Sequence, residues 1–223
     1  MILEKIISRN ATSITIPNGV TSIGKGAFSN FTSLTDITIP NDVTSIDEGA
    51  FSSCTSLTSV ILPSNITSIG KNAFDRCTSL TSISIPNGVT NIGSEAFIGC
   101  KALTSVTIPN GMTYIGEYVF SECSSLKSID IPDNVTSIGE GAFINCCALE
   151  SITIPNSVTR ISSAVFYGCT SLTSITIPDS VTNIGGSTFS GCTSLTSITI
   201  NKPKGSISGA PWGAPNATVN WVG

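Results

Sequence analysis

Leu34-Thr35-Asp36-Ile37-Thr38-Ile39-Pro40-Asn41-Asp42-Val43-Thr44-Ser45-Ile46, continuing through Ala50-Phe51 to Cys54, is one copy of a 23-residue unit written eight times. Its prolines fall at Pro17, Pro40, Pro63, Pro86, Pro109, Pro132, Pro155 and Pro178, with no residue inserted or lost between copies. The phenylalanines Phe28, Phe51, Phe74, Phe97, Phe120, Phe143, Phe166 and Phe189 keep the same step. A fixed period of this size is the signature of a solenoid, in which each unit buries its apolar face only by stacking on its neighbours.

Within the unit, Asp36 to Ile39 alternates polar and apolar residues, the period of a half-buried strand, and its β-branched content supports that reading. Pro40 ends the strand because it lacks the N–H a ladder requires, and Asn41-Asp42 supplies a turn. Val43 to Ile46 forms a second short alternation. The residue after it is glycine in most copies (Gly24, Gly70, Gly93, Gly116, Gly139, Gly185), which suggests a backbone angle that other residues resist. The remainder, such as Lys25 to Asn30, is long enough for a short helical or 3₁₀ turn with Ala and Phe inward. The inward set of the second copy is then Leu34, Ile37, Ile39, Val43, Ile46, Ala50, Phe51 and Cys54. The expected fold class is an α/β repeat solenoid: a parallel β-sheet on one face, short second strands, and short helical or 3₁₀ turns on the other.

Strand, I-P, V-x-x-I-G and A-F-x-x-C recurring in register resemble the BspA-like leucine-rich repeats over about residues 11 to 200. The resemblance implies a leucine-rich-repeat protein of bacterial or parasite surfaces that adheres to host or partner macromolecules. Three parts are expected: an N-terminal cap at 1–10, the solenoid at 11–200, and a C-terminal capping segment at 201–223. In the first part Ile2, Leu3, Ile6 and Ile7 would cover the first rung, while Lys5 and Ser8 stand where a repeat has Phe and Cys. In the last, a loop would lead to a closing strand, Ala217 to Val222. Trp212 reads as part of that cap, with a ligand contact as the alternative.

Composition excludes several function classes. Net charge is −4, histidine is absent, and the ten Lys and Arg form no run, so nucleic acid is not an expected partner. No apolar stretch reaches the roughly 20 residues needed to span a bilayer. The start lacks a basic region followed by an apolar one, so it is not a signal peptide. Either the protein is intracellular, or the chain is a fragment that begins after a removed leader. The surface-protein resemblance favours the second, with a cell-surface or secreted location.

Seven of the eight cysteines, Cys54 to Cys192, recur once per copy, and Phe31 holds their place in the first. A position that accepts Phe is an apolar packing site. Spacing gives no C-x-x-C and no His, so no zinc site is expected. Parallel inward thiols are also poorly placed for disulfides. Cys147 stands where other copies have Thr or Ser and is the candidate reactive thiol.

Nucleophilic catalysis of the common kinds lacks its base. The outward strand carboxylates Asp36 and Asp130 are four rungs, about 19 Å, apart at about 4.8 Å per rung, too far to cooperate in glycoside hydrolysis. No enzyme activity and no cofactor are expected.

The outward strand positions form two columns of hydroxyls from Ser13/Thr15 to Ser197/Thr199, including Thr38, Thr107 and Thr153 and interrupted by Asp36, Ile61 and Asp130. They either solubilise the sheet by bonding one another or offer a shallow polar binding surface. A second variable stripe carries Tyr114, Tyr118, Tyr167, Arg160, Ile98 and Ile144. Tyr and Arg are enriched in interfaces, and Tyr114 and Arg160 share one repeat position. Asn-x-Thr triplets at Asn10, Asn30, Asn65, Asn134 and Asn216 would be glycosylation acceptors only in a eukaryotic secretory protein. The functional expectation is a non-enzymatic module binding protein or glycan, such as host extracellular matrix, through Asp36, Thr38, Ile61, Thr107, Asp130, Thr153, Tyr114, Tyr118 and Arg160. The alternative is a structural spacer without a ligand.

Overall fold

The computed structural model describes residues 8–223, so the expected packing of Ile2 to Ile7 lies outside the described residues. Each copy contributes one turn of a parallel solenoid. The first strands, Ser13–Thr15, Asp36–Thr38, Ser59–Ile61, Ser82–Ser84, Ser105–Thr107, Ser174–Ile177 and Ser197–Ile200, occupy one column. Thr218–Trp221 extends it by pairing parallel with Ser197–Ile200. Two-residue second strands, from Ser22–Ile23 to Asn183–Ile184, form a parallel column of their own. Between the columns the repeat prolines from Pro40 to Pro178 accept, at their carbonyls, the amide three residues on, as in Val43 N–H to Pro40 O at 3.2 Å. All eight inward residues foreseen in the second copy are buried in one continuous core.

The third side departs from the expectation: no helix or 3₁₀ turn forms among the described residues. A helix would spend every amide locally, whereas here the amides alternate. Those of Ala50, Ser52 and Cys54 donate three residues back, to Asp47, Gly49 and Phe51, at 3.2, 3.0 and 3.1 Å. Those of Gly49, Phe51 and Ser53 donate to Lys71, Ala73 and Asp75 of the next copy at 2.8, 2.8 and 2.7 Å. The segment is a chain of turns whose spare donors build a third ladder between rungs.

That alternation needs two left-handed residues per copy. One series is Gly26, Gly49, Asn72, Glu95, Tyr118, Gly141, Ala164 and Ser187; the other is Asn30, Ser53, Arg76, Gly99, Glu122, Asn145, Gly168 and Gly191. All have positive φ. Side chains other than Gly, Asn or Asp resist this region by about 1–2 kcal/mol. Exposed Glu122, at φ 61°, is therefore expected to gain about 1 kcal/mol of stability on Glu122→Gly, read as a higher urea midpoint with an unchanged slope. A lower midpoint would contradict the strain.

The glycine after the second strand serves another purpose than the one expected. Gly70, Gly93 and Gly185 do not have positive φ; a β-carbon on any of them would collide with the backbone of the preceding rung, at Asp47, Lys71 and Ser163 respectively. The requirement is close approach.

The phenylalanines form a continuous stack with rings within 13° of parallel. Its spacing is 5.1 to 5.3 Å from Phe28 to Phe97 and 5.7 to 5.8 Å from Phe97 to Phe189. The residue before each Phe explains the step. It is Ala27, Ala50, Ala73 and Ala96 in the close part, whereas every wide pair includes Val119, Val165 or Thr188. At the first of these, the second-strand ladder breaks between Asn91–Ile92 and Tyr114–Ile115, where Met112 also replaces a smaller Val.

Candidate interaction surface

Asp36, Thr38, Ile61, Thr107, Asp130 and Thr153 all lie exposed on the first-strand face, because strand alternation sends their neighbours Ile37, Val60, Val106, Ile129 and Ile152 into the core. The ladder beneath them is not continuous. Asp36–Thr38 pairs only backward, with Ser13–Thr15, and Ser59–Ile61 only forward, with Ser82–Ser84. Asp130 is held by a single bridge to Thr153. Thus Asp36, Ile61 and Asp130 each border a gap in pairing, a relation invisible in the sequence because the copies on either side of each gap carry the same strand pattern.

Ile61 is 84% exposed. It forms one wall of a shallow depression of about 460 Å³ with Ser59, Ser64, Ser82, Ser84 and Pro86. The hydroxyls around it do not satisfy one another as one reading of the sequence expected. Among the described residues, the outward columns make two side-chain bonds across rungs: Ser13 Oγ to Asp36 Oδ2 at 3.5 Å, and Asn220 Nδ2 to Ser197 Oγ at 3.1 Å. The threonines just before the strands behave differently, donating to the preceding rung's carbonyl, as Thr81 Oγ1 does to Thr58 O at 3.2 Å. Hydroxyls at the strand entry are structural, while those on the face remain open to solvent.

Tyr114 and Arg160 do share a face: Tyr114 is in register with Ser137, and Ser137 with Arg160. Tyr118 lies on the adjoining turn at a left-handed position, and its hydroxyl donates to Glu140 Oε1 at 2.6 Å. The nine candidate residues therefore fall on two surfaces, six on the sheet face and three on the second strands and turns.

The cysteine column is buried as expected, and each thiol has a use the sequence did not disclose. Cys77 Sγ donates to Phe51 O at 3.2 Å, giving that carbonyl a second donor beside the Cys54 amide. The same bond recurs from Cys54 to Cys192. Burial pushes the Cys100 thiol up to about 12 and those of Cys54 and Cys192 to about 11. Cys147 is only half-buried, and its Sγ lies 3.7 Å from Gly168 O. Iodoacetamide at neutral pH is expected to label Cys147 alone in the folded protein and all eight cysteines in urea, as read by mass spectrometry. Native labelling of Cys100 would contradict the burial.

Trp212, the other residue with an alternative ligand reading, is 3% exposed. It stands edge-on to Phe189 at 6.4 Å, its carbonyl accepts the Phe189 amide at 3.0 Å, and its indole N–H donates to Ser208 O at 2.8 Å. That geometry closes the phenylalanine stack and leaves the ring no open face for a ligand.

Comparison with known proteins follows this geometry. The family described as BspA type leucine rich repeat region, with six copies, matches residues 7–123 and 91–210. The chain belongs to the BspA-type leucine-rich repeat family. A leucine-rich repeat protein from Bacteroides ovatus is 39% identical over 96% of this chain and 56% of its own, with a TM-score of 0.88. A leucine rich cell surface protein from Faecalibacterium prausnitzii is 35% identical over 87% and 61% of the two chains, with a TM-score of 0.61. The leucine rich repeat protein of T. pallidum is 34% identical over 62% and 64%, with a TM-score of 0.60. This BspA-type chain thus spans little more than half of the Bacteroides ovatus protein. No curated protein matches it. No helix among the described residues is long and apolar enough to cross a membrane.

Proposed function

We propose that this chain is a non-enzymatic binding module of a cell-surface or secreted protein, and that it presents its first-strand face to a protein or glycan. The observation that carries the reading is Ile61, an almost fully exposed branched aliphatic side chain beside a depression on a face of open hydroxyls. Hydrating it gains nothing, and covering it would contribute about 1.5–3 kcal/mol. A preassembled rigid surface also avoids the ordering cost of binding. The similarity to the Faecalibacterium prausnitzii leucine rich cell surface protein supports the location. The competing reading, a ligand-free spacer, draws on the near identity of the remaining exposed positions.

Repeat-consensus substitutions provide the test, since other copies already carry the introduced residues. Asp36→Ser, Ile61→Thr and Asp130→Thr together are expected to weaken binding to matrix proteins or glycans on an array by about tenfold or more. Binding unchanged by the triple variant would remove this face from consideration. Failure of the unaltered chain to bind any component of the array would favour the spacer.

A further inference from the structure

The three tyrosines of the chain gather on the side away from the sheet face. The Tyr118 ring and the Ile144 side chain both cover Gly141, and the Tyr114 hydroxyl covers Gly139; a β-carbon on either glycine would collide with these tyrosines. Tyr167 occupies the repeat position of Ile144 one rung on, and its carbonyl accepts the Asn145 amide at 2.7 Å. Tyr114, Tyr118, Ile144 and Tyr167 therefore stand on three consecutive rungs as one aromatic and aliphatic patch of this side, in which Tyr114 is 41% and Tyr167 45% exposed. Apart from Arg160, other copies have Ser or Asn at the position of Tyr114, and Ser stands at most equivalents of Tyr167.

Charge around the patch is one-sided. On the earlier rungs, charged residues of this ridge pair: Lys25 with Glu48 at 3.0 Å, Lys71 with Glu95 at 3.4 Å, and Arg76 with Asp75 at 3.8 Å. At the patch, Glu117, Glu122 and Glu140 have no ion-pair partner among the described residues. Arg160, two rungs beyond Tyr114, borders the patch and offsets one of these charges. The field of the carboxylates is felt by the rings themselves. The Tyr118 hydroxyl is pushed up by its bond to Glu140 and, more weakly, by burial and by the charges of Glu140, Glu117 and Glu95. Glu95, Tyr118 and Glu122 also hold strained left-handed positions that Gly fills in other copies, so backbone comfort does not explain their presence.

From the aromatic patch and its charge complementarity we infer a second interaction surface, formed by Tyr114, Tyr118, Ile144 and Tyr167, that takes an extended Lys- or Arg-bearing peptide segment of a partner protein. Tyrosine faces attract guanidinium and ammonium groups, and the unpaired carboxylates at the rim supply the ion pairs the cations seek. A second copy of the chain fits poorly, because its own net charge is −4. The surface is separate from the sheet face and stands or falls independently of it.

The test uses a fluorescein-labelled peptide of alternating arginine and serine, with a glutamate-serine peptide beside it, in anisotropy titrations at low and high salt. The arginine peptide is expected to bind and the glutamate peptide not. The variant Tyr114→Ser, Tyr118→Gly, Tyr167→Ser is expected to bind about tenfold or more weakly while its thermal midpoint shows it folded. Glu117→Gln with Glu140→Gln should weaken binding and flatten its salt dependence. Equal binding by the tyrosine variant would reduce the effect to bulk charge and overturn the inference. So would no binding by the unaltered chain, or a dimer of that chain which the tyrosine variant abolishes.

Discussion

Replacing Phe97 by alanine is expected to destabilise the protein by about 3–5 kcal/mol and to split its unfolding into two steps. Phe97 is fully buried and stacked between Phe74 at 5.3 Å and Phe120 at 5.7 Å. The parallel rungs above and below leave the cavity little room to collapse, which places the loss toward the upper end. The second effect follows from the solenoid: rungs touch only their neighbours, so a weakened middle interface uncouples the two halves. Both tryptophans, Trp212 and Trp221, lie at the C-terminal end. Tryptophan fluorescence therefore follows that half, while far-ultraviolet circular dichroism follows the whole chain. In urea the two transitions should coincide for the unaltered protein and separate for Phe97→Ala. Coincident curves in the variant, or a loss below about 1 kcal/mol, would show that the stack does not couple the rungs.

Alkaline pH should unfold the protein well before its chemistry requires it. Burial raises the thiol column above the ordinary value of 9.0, to about 12 for Cys100 and well above it for Cys123. A group whose folded value is raised contributes stability that is complete below its unfolded value and lost as pH climbs through the folded one. The relevant window thus opens near 9 and extends beyond 11. Within it each fully buried thiol costs about 1.4 kcal/mol per pH unit, and several act together. Thermal midpoints should be level from pH 6 to 8.5 and fall steeply above 9, while Cys100→Ala should show a gentler fall. An equal slope in that variant would show that the buried thiols do not drive the alkaline transition.

The apolar residues of each copy announced their own placement, because period 2 in the strands and the fixed 23-residue step leave one consistent inside. The third side was harder. Ala50, Phe51 and Cys54 point inward in a helical turn and in a chain of β-turns alike, so hydrophobic spacing cannot separate the two. A signal was nonetheless present: Gly26, Gly49, Asn72 and Gly141 in one column, and Asn30, Gly99, Asn145, Gly168 and Gly191 in another, are the residue types that accept left-handed backbone. The candidate surface was legible as a set of departures from the repeat. Its division into a sheet face and a second stripe was legible too, but the split of that stripe between a second strand at Tyr114 and a turn at Tyr118 was not, since the two are close in sequence. The gaps beside Asp36, Ile61 and Asp130 were not legible either, because the copies that pair and those that do not carry the same strand pattern.

The alanine-to-valine change beside the phenylalanine stack is absorbed where it occurs. Ring spacing steps from 5.1 Å at its closest to 5.8 Å at its widest, yet the amide of each stacked phenylalanine still reaches the next rung's carbonyl, at 2.8 Å for Phe74 before the change and 3.0 Å for Phe97 at it. The larger side chain at Val119 is taken up in the core while the main-chain ladder behind it persists. Buried volume and rung stacking are therefore separable in this solenoid. Copies can differ in the column beside the rings and still carry the same outward face.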